Sequence, residues 1–253
     1  MSEKKEIRRE TSKTLLLFTS SLLSVACLSL LFIYVMSIRN EIKELSHIQE
    51  RQRKENIETN QFLLSTLDWS TSRQKKILFM RDIIVGEWKR CGWEVEMQKA
   101  YAIAETNLIE SEKYPYLDPF FILAMQWKES SFTDTVVSHM GAIGLNQIMP
   151  ATARLLCGFF NMQYNERLLY DTKVSTKLAA KLFDVLYAQY NDFELVLAAY
   201  NGGPWSAYYY KNGDERLAEE TANYVPSVMQ KYQEFREMYK IYMVDTALLG
   251  SDS

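Results

Sequence analysis

The N-terminal part of the chain is a long apolar run that follows a basic segment. Residues 14–38, TLLLFTSSLLSVACLSLLFIYVMSI, contain no charged side chain, and residues 1–13 before them carry five basic ones. A run of this length predicts a single transmembrane helix, and the basic residues favour a cytoplasmic location for residues 1–13. Signal-peptide cleavage near Ala26 or lipidation at Cys27 is the alternative.

The next segment, residues 39–93, predicts a helical stalk and helices that flank the following domain. Residues 39–70 are rich in Glu, Lys, Arg, Gln and Asn. Apolar side chains at helical spacing occur around the start of the segment, at Ile38, Ile42, Leu45 and Ile48. Because the pattern fades beyond these positions, a solvated linker helix is favoured over a coiled coil between chains. Apolar residues are frequent again between Asp68 and Trp93, where we expect one or two helices that end at Gly92.

Residues 94–244 show the apolar periodicity and the capping residues of an all-α domain. The amphipathic stretch Val95–Lys113 is followed by Tyr114-Pro115, which should stop a helix. Asp118-Pro119 should start the next helix, because Asp caps helices well and Pro suits the first turn. Its sequence, PFFILAMQWKES, is apolar on nearly every side, which predicts the buried central helix of the domain.

Further helices are expected towards the C terminus. Capping signals predict helix starts at Pro150, Asp171 and Asp192. We interpret the aromatic segment Trp205–Arg216 as a loop that could stack a sugar or a peptide. The last helix should run through Pro226 to about Tyr242, and residues 245–253 should form a flexible tail.

Composition excludes several classes of function. The chain has 253 residues, 47% of them hydrophobic, with only nine Gly and five Pro, which favours helices in one or two domains. A formal net charge of −3 provides no basic field for a nucleic acid. Neither the three cysteines nor the two histidines show metal-ligand spacing, so we expect no metal or cofactor. A disulfide between Cys91 and Cys157 and two free thiols both remain open.

One carboxylate in an apolar setting is the main candidate for chemistry. Glu129 lies near the C-terminal end of the predicted central helix. Burial and the negative end of the helix dipole both disfavour an ionised carboxylate there, which predicts a raised pKa. Such a group can hold a proton near neutral pH, as a general acid must. Gly141 and Gly144 in the following loop could allow the backbone to approach a ligand closely.

Three blocks of the sequence resemble the catalytic domain of the soluble lytic transglycosylases, lysozyme-like enzymes that cut peptidoglycan. The first block is ESSF at 129–132 with SHMGAIGLNQIMPAT at 138–152. The second is AAYNGGP at 198–204, and the third is ETANYV at 220–225. The blocks occur in the family's order, within about residues 100–240. The resemblance implies a lysozyme-like helical domain at residues 94–244 that acts as a peptidoglycan lytic transglycosylase.

The resemblance also implies roles for single residues. Glu129 should protonate the bond between N-acetylmuramic acid and N-acetylglucosamine, and then act as base on the muramoyl 6-hydroxyl to form a 1,6-anhydro product. The expected substrate-binding or positioning residues are Ser138, Gly141, Gly144, Gln147, Tyr200, Asn201 and Glu220. The hydroxyl of Tyr200 should point at Glu129. Asn146 stands where the family usually has Met, and His139 where Pro is frequent; Asn146 should therefore make the floor of the cleft polar at one contact.

Two other functions stay open at this point. A hydrolytic, goose-type lysozyme is the first; a retaining two-carboxylate mechanism would need a second acid about 5 Å from Glu129, and Asp134 is the nearest candidate in the sequence. The second is a membrane-anchored scaffold that holds glycan without cutting it. Together with the membrane span, the resemblance implies a single-pass protein of the bacterial inner membrane with a periplasmic catalytic domain. Its expected partners are peptidoglycan strands and an envelope-spanning secretion or conjugation complex.

Overall fold

The structure, a computed structural model, describes the backbone of residues 3–249 and the side chains of residues 34–61, 63 and 69–245. Across this range the chain is helical, with isolated β-bridges but no strand, so the all-α prediction is confirmed for the part described. The chain divides into two compact units, Met1–Trp69 and Ser70–Ser253.

Helix α1 spans Glu3–Cys91 and supplies residues to both units. In the first unit its described apolar side chains are exposed, among them Ile42 and Leu45, as expected for a solvated helix. No helix among the residues with described side chains is long and apolar enough to cross a membrane. Residues 14–33, which make up most of the predicted span, lie outside those residues.

The second unit contains the remaining helices, connected by short loops except for the longer one after α3. They are α2 (Met97–Ser111), α3 (Pro119–Ser130), α4 (Pro150–Gly158), a 3-10 helix (Glu166–Leu169), α5 (Thr172–Tyr190), α6 (Phe193–Gly202), α7 (Pro204–Asn212) and α8 (Glu219–Leu249). Gly92, with φ 71°, follows the end of α1 as predicted.

Helix α3 is the buried centre of the second unit. The Phe120 N–H donates to the carboxylate of Asp118 at 2.9 Å, and Pro119 occupies the first turn. Phe121 and Leu123 are fully buried, and α3 packs against α2 and α8. The prediction of a central helix, including its first and last residues, is confirmed.

The later helices differ from the prediction in two places. Residues 205–212 of the aromatic segment predicted as a loop belong to α7 instead. Pro204 suits the first turn of this helix, and Gly213, with φ 61°, ends it in a left-handed conformation. Helix α8 contains Pro226 and extends to Leu249, beyond the expected end near Tyr242. Residues 250–253 of the predicted tail lie outside the described residues.

The structure decides between a disulfide and two free thiols for Cys91 and Cys157. Cys91 and Cys157 are both free thiols, the first partly exposed and the second buried. They do not form a disulfide with each other.

Candidate active site

A cleft of about 470 Å³ in the second unit collects most of the predicted site residues. Six of them line it, Glu129, Ser138, Gln147, Tyr200, Asn201 and Glu220, whereas Gly141 and Gly144 do not. The other lining residues are Lys128, His139, Met140, Ala142, Met149, Asn223 and Tyr224. Residues from three distant parts of the sequence therefore meet at one cleft.

Glu129 lies at the end of α3, just before the backbone leaves the helix. Ser131 and Phe132 both have left-handed backbone conformations, with φ 48° and 67°, and Phe132 is fully buried. This turn leaves the Glu129 side chain partly open to the cleft. The buried ring of Phe132 fixes the direction in which the following loop departs.

The carboxyl group of Glu129 holds its proton more tightly than an ordinary glutamate. Its pKa is raised to about 7; burial is the largest cause, and the nearby negative charge of Glu220 acts in the same direction. A hydrogen bond from the Tyr224 hydroxyl and the charge of Lys128 act in the opposite direction. The predicted raised pKa is thus present, and burial is its largest cause.

The Tyr224 hydroxyl donates to Oε1 of Glu129 at 2.6 Å. This contact was not predicted, although Tyr224 belongs to the third sequence block. A signal was available, because Glu220 and Tyr224 are four residues apart on α8 and therefore share one face of that helix.

Tyr200 has a different hydrogen-bond partner from the one expected. Its hydroxyl donates to the backbone carbonyl oxygen of Asn146 at 2.7 Å, while its side chain lines the cleft. Burial, followed by the charge of Glu129, raises the pKa of both Tyr200 and Tyr224 well above the ordinary value. Both hydroxyls therefore stay protonated and act as hydrogen-bond donors.

Ser138 and Gln147 brace the loop that forms one wall of the cleft. The Ser138 hydroxyl accepts from the Ala142 N–H at 3.0 Å. Nε2 of Gln147 donates to the carbonyl oxygens of Val136 and Gly144 at 3.1 and 2.9 Å. These contacts hold the loop in shape, so the residues can position the wall as well as face a ligand.

Gly144 is required by packing between two backbone segments. Its φ is 78°, and a Cβ atom there would lie 2.2 Å from the carbonyl oxygen of Leu169. The sequence predicted that the backbone at Gly144 approaches a ligand closely. In the structure it closely approaches the backbone of Leu169 instead. Gly141, with φ 86°, has open space around its Cβ position and does not line the cleft.

The prediction that Asn146 makes the cleft floor polar is wrong, because its side chain points into the protein. It is buried and accepts from Nε2 of Gln126 at 3.1 Å and donates to Oγ of Ser175 at 3.0 Å. Gln126 is also paired with buried Asn107, at 2.7 and 2.9 Å. A buried amide needs such partners, and α2, α3 and α5 supply them.

The second carboxylate at the cleft is Glu220, not Asp134. Asp134 forms an ion pair with Lys99 at 2.7 Å and does not line the cleft. Glu220 is exposed, lines the cleft, and its charge acts on Glu129. Among the residues with described side chains, no group of three or more His, Cys, Asp or Glu could hold a metal ion.

Part of the chain matches the model of a known protein family. Residues 106–223 match the model of the family described as "Transglycosylase SLT domain". The matched segment contains all eight predicted site residues, and Tyr224 directly follows it.

Solved structures of lytic transglycosylases are similar to part of the chain. An inactive mutant of lytic transglycosylase Slt from Pseudomonas aeruginosa is 26% identical, with a TM-score of 0.48, over 53% of this chain and 24% of that one. The 70 kDa soluble lytic transglycosylase from Escherichia coli is 21% identical, with a TM-score of 0.46, over 65% and 30% of the two chains. A complex of the 70 kDa soluble lytic transglycosylase with bulgecin A is 21% identical, with a TM-score of 0.45, over 56% and 27%. The matched region thus spans only 24–30% of the length of each of these proteins.

Proposed function

We propose that this chain, whose residues 106–223 match the transglycosylase SLT domain model, is a peptidoglycan lytic transglycosylase with Glu129 as both acid and base. The observation that carries the proposal is a carboxyl group with a pKa of about 7 in a cleft lined by all three sequence blocks. A group with this pKa is populated in both protonation states near neutral pH, as a residue that first donates and then accepts a proton must be.

In the first step Glu129 acts as general acid. Its carboxyl proton moves to the glycosidic oxygen between N-acetylmuramic acid and N-acetylglucosamine, and the bond from that oxygen to the anomeric carbon breaks. The leaving sugar departs with a free 4-hydroxyl, and Glu129 becomes a carboxylate. Because Tyr224 holds Oε1 at 2.6 Å, we assign the proton transfer to Oε2.

In the second step Glu129 acts as general base. The carboxylate removes the proton of the muramoyl 6-hydroxyl, whose oxygen forms a bond with the anomeric carbon. The product is a 1,6-anhydro sugar, no water is consumed, and Glu129 is protonated again for the next cycle. The hydrogen bond from Tyr224 stabilises the carboxylate that exists between the two steps.

Ser138, Gln147, Tyr200, Asn201 and Glu220 are the proposed substrate-binding or positioning residues. These roles are supported by the position of the five residues, which line the same cleft as Glu129. Glu220 has a further effect, because its negative charge favours the protonated form of Glu129 that the first step needs.

The test is a digest of purified peptidoglycan with the full-length chain, beside its Glu129→Gln variant, with the products analysed by mass spectrometry. Soluble products with anhydromuramoyl ends, one water lighter than hydrolysis products, should appear with the native chain and be absent with Glu129→Gln. Glu215→Gln, which removes an exposed carboxylate outside the cleft, is the control for loss of a charge. Anhydro products at an unchanged rate from Glu129→Gln would contradict the assignment.

Hydrolysis is the second candidate, because Glu220 places another carboxylate at the cleft. A water molecule activated there would give products with reducing ends. The same mass spectra separate the two reactions, and reducing ends that disappear with Glu220→Gln would favour a lysozyme. Glycan binding without any cleavage by the native chain would instead favour a scaffold.

We also propose that residues 14–38 anchor the protein in the bacterial inner membrane, with the SLT domain in the periplasm. The support is the uncharged run in the sequence and the basic residues before it. The native chain should stay in the membrane fraction after an alkaline wash, and a chain without residues 14–38 should not. An envelope-spanning secretion or conjugation complex is the proposed partner, supported by the anchor and stalk alone; failure to co-purify with any envelope protein would count against it.

A further inference from the structure

A second groove, of about 420 Å³, lies between α5, α6 and α7. Its lining shares no residue with the cleft that contains Glu129. Two large aromatic side chains on α7 line it and are mostly exposed, Trp205 at 68% and Tyr208 at 52%. A groove of ligand size that is lined by exposed aromatic rings is a candidate binding site.

The aromatic side chains of this groove contact one another and further side chains. The ring of Trp205 lies 6.0 Å from that of Tyr208 at 82°, and 6.1 Å from that of Tyr209 at 27°. The guanidinium of Arg216 covers the Tyr209 ring at 4.7 Å. Trp205 therefore has two neighbouring aromatic rings while most of its side chain stays exposed, and a ligand that binds there would order few side-chain torsions.

The polar residues of the groove indicate the chemistry of its ligand. Exposed Gln189 and Lys211 line it beside the aromatic rings. A flat amphipathic ring suits the C–H face of a pyranose, and an amide suits hydroxyl or acetamido groups. An ammonium suits a carboxylate. The combination fits an acidic oligosaccharide.

Residues that line the groove follow closely in sequence after a residue that lines the catalytic cleft. Asn201 lines the cleft, and Pro204 and Trp205 line the groove. Asn201 and Pro204 are three peptide units apart, which separates their Cα atoms by at most about 11 Å. A polymer bound in the cleft can thus continue past Gly203 to Trp205.

We propose that this groove is a second binding site for the glycan strand, with a sugar ring stacked on Trp205 and a stem-peptide carboxylate at Lys211. The inference rests on the proposed function, which supplies the polymer. A protein partner fits less well, because stable protein interfaces use about 20–30 residues a side and the groove is lined by eight residues. Such a site would hold the strand while the cleft releases its product.

The test measures binding without cleavage, using the full-length chain in the Glu129→Gln background. The probes are purified peptidoglycan strands that carry their stem peptides and, separately, a tetrasaccharide. Trp205→Ala should weaken binding of the strands about tenfold, or about 1.4 kcal/mol. Lys211→Gln should weaken it less and reduce its dependence on salt. Both variants should bind the tetrasaccharide, which the cleft alone can hold, like the parent.

Phe159→Ala is the matched control, because Phe159 is similarly exposed, at 60%, and lies outside the groove. It should leave strand binding unchanged. The proposal would be overturned if Trp205→Ala and Lys211→Gln bound the strands as tightly as the parent. The same holds if Trp205→Ala lost binding to a protein partner while its strand affinity stayed unchanged. If Trp205→Ala lowers the helical signal in circular dichroism, Tyr208→Ala and Lys211→Gln carry the test.

Failure of this inference can be told apart from failure of the proposed function. Anhydro products from the native chain together with unchanged strand binding by Trp205→Ala would overturn the second site alone. Loss of strand binding in Trp205→Ala without any anhydro product from the native chain would keep the binding site and overturn the enzyme.

Discussion

Replacing Tyr224 with Phe removes the hydrogen bond that the structure places on the carboxyl group of Glu129. The Tyr224 hydroxyl donates to Oε1 at 2.6 Å, and a carboxylate accepts such a bond more strongly than a neutral acid does. The bond therefore lowers the pKa of Glu129, against the larger effect of burial. Phe keeps the ring and removes only the donor, so the pKa of Glu129 should rise above its value of about 7.

The size of the change follows from the charge on the acceptor. A hydrogen bond to a charged group contributes about 1.5–3 kcal/mol, and 1.36 kcal/mol corresponds to one pKa unit, which gives about 1–2 units. Because Glu129 is partly open to the cleft, a water molecule can compensate for part of the lost hydrogen bond, and we expect the pKa of Glu129 to rise by about one unit. The acid form then persists to higher pH, and the descending limb of the pH–rate profile moves by the same amount.

The assay is the release of soluble products from peptidoglycan, with kcat/KM measured between about pH 5 and pH 9. Tyr200→Phe is the matched control, because its hydroxyl makes a similar hydrogen bond, at 2.7 Å, to a backbone carbonyl and not to Glu129. The limb should move clearly in Tyr224→Phe and much less in Tyr200→Phe. An unmoved limb in Tyr224→Phe, or an equal shift in both variants, would refute the reasoning.

Three further predictions concern stability. Because the pKa of Glu129 is raised, the folded chain binds more protons than the unfolded chain between about pH 4.5 and pH 7, and native stability falls as the pH rises through that window. Relative to the native chain, Glu129→Gln should therefore be more stable by up to about 3 kcal/mol at about pH 8 and equally stable at about pH 4. A pH-independent difference between the two in urea unfolding would contradict this. Gly144→Ala should destabilise the fold by about 3 kcal/mol or more, since its Cβ would lie 2.2 Å from a backbone oxygen. Gly141→Ala, which has open space, should cost only about 1–2 kcal/mol of backbone strain, and equal melting temperatures of the two variants would refute the packing argument. Asn146→Met should cost about 1–3 kcal/mol in thermal unfolding because it leaves buried amide and hydroxyl partners unpaired, and an unchanged melting temperature would show that Met repacks there without loss.

Local signals in the sequence predicted the helices of the second unit well. The carboxylates of Asp118, Asp171 and Asp192 cap α3, α5 and α6 as expected, because a cap acts on N–H groups two or three residues away. The missed helix α7 also had local signals, Pro204 at its start and Gly213 after its end. Its aromatic sequence favours a loop, and its packing against α6 could not be predicted from the spacing of apolar residues.

The sequence by itself thus determined the all-α class of the described residues, the central helix and the candidate acid near its end, since each depends on neighbours in the chain. Only the tertiary structure decided which groups meet that acid. Tyr224 is 95 residues from Glu129, and Asn146 turns inward to Ser175 instead of facing the cleft. Such contacts depend on how helices pack and on which buried polar groups find partners, and periodicity along the chain records neither.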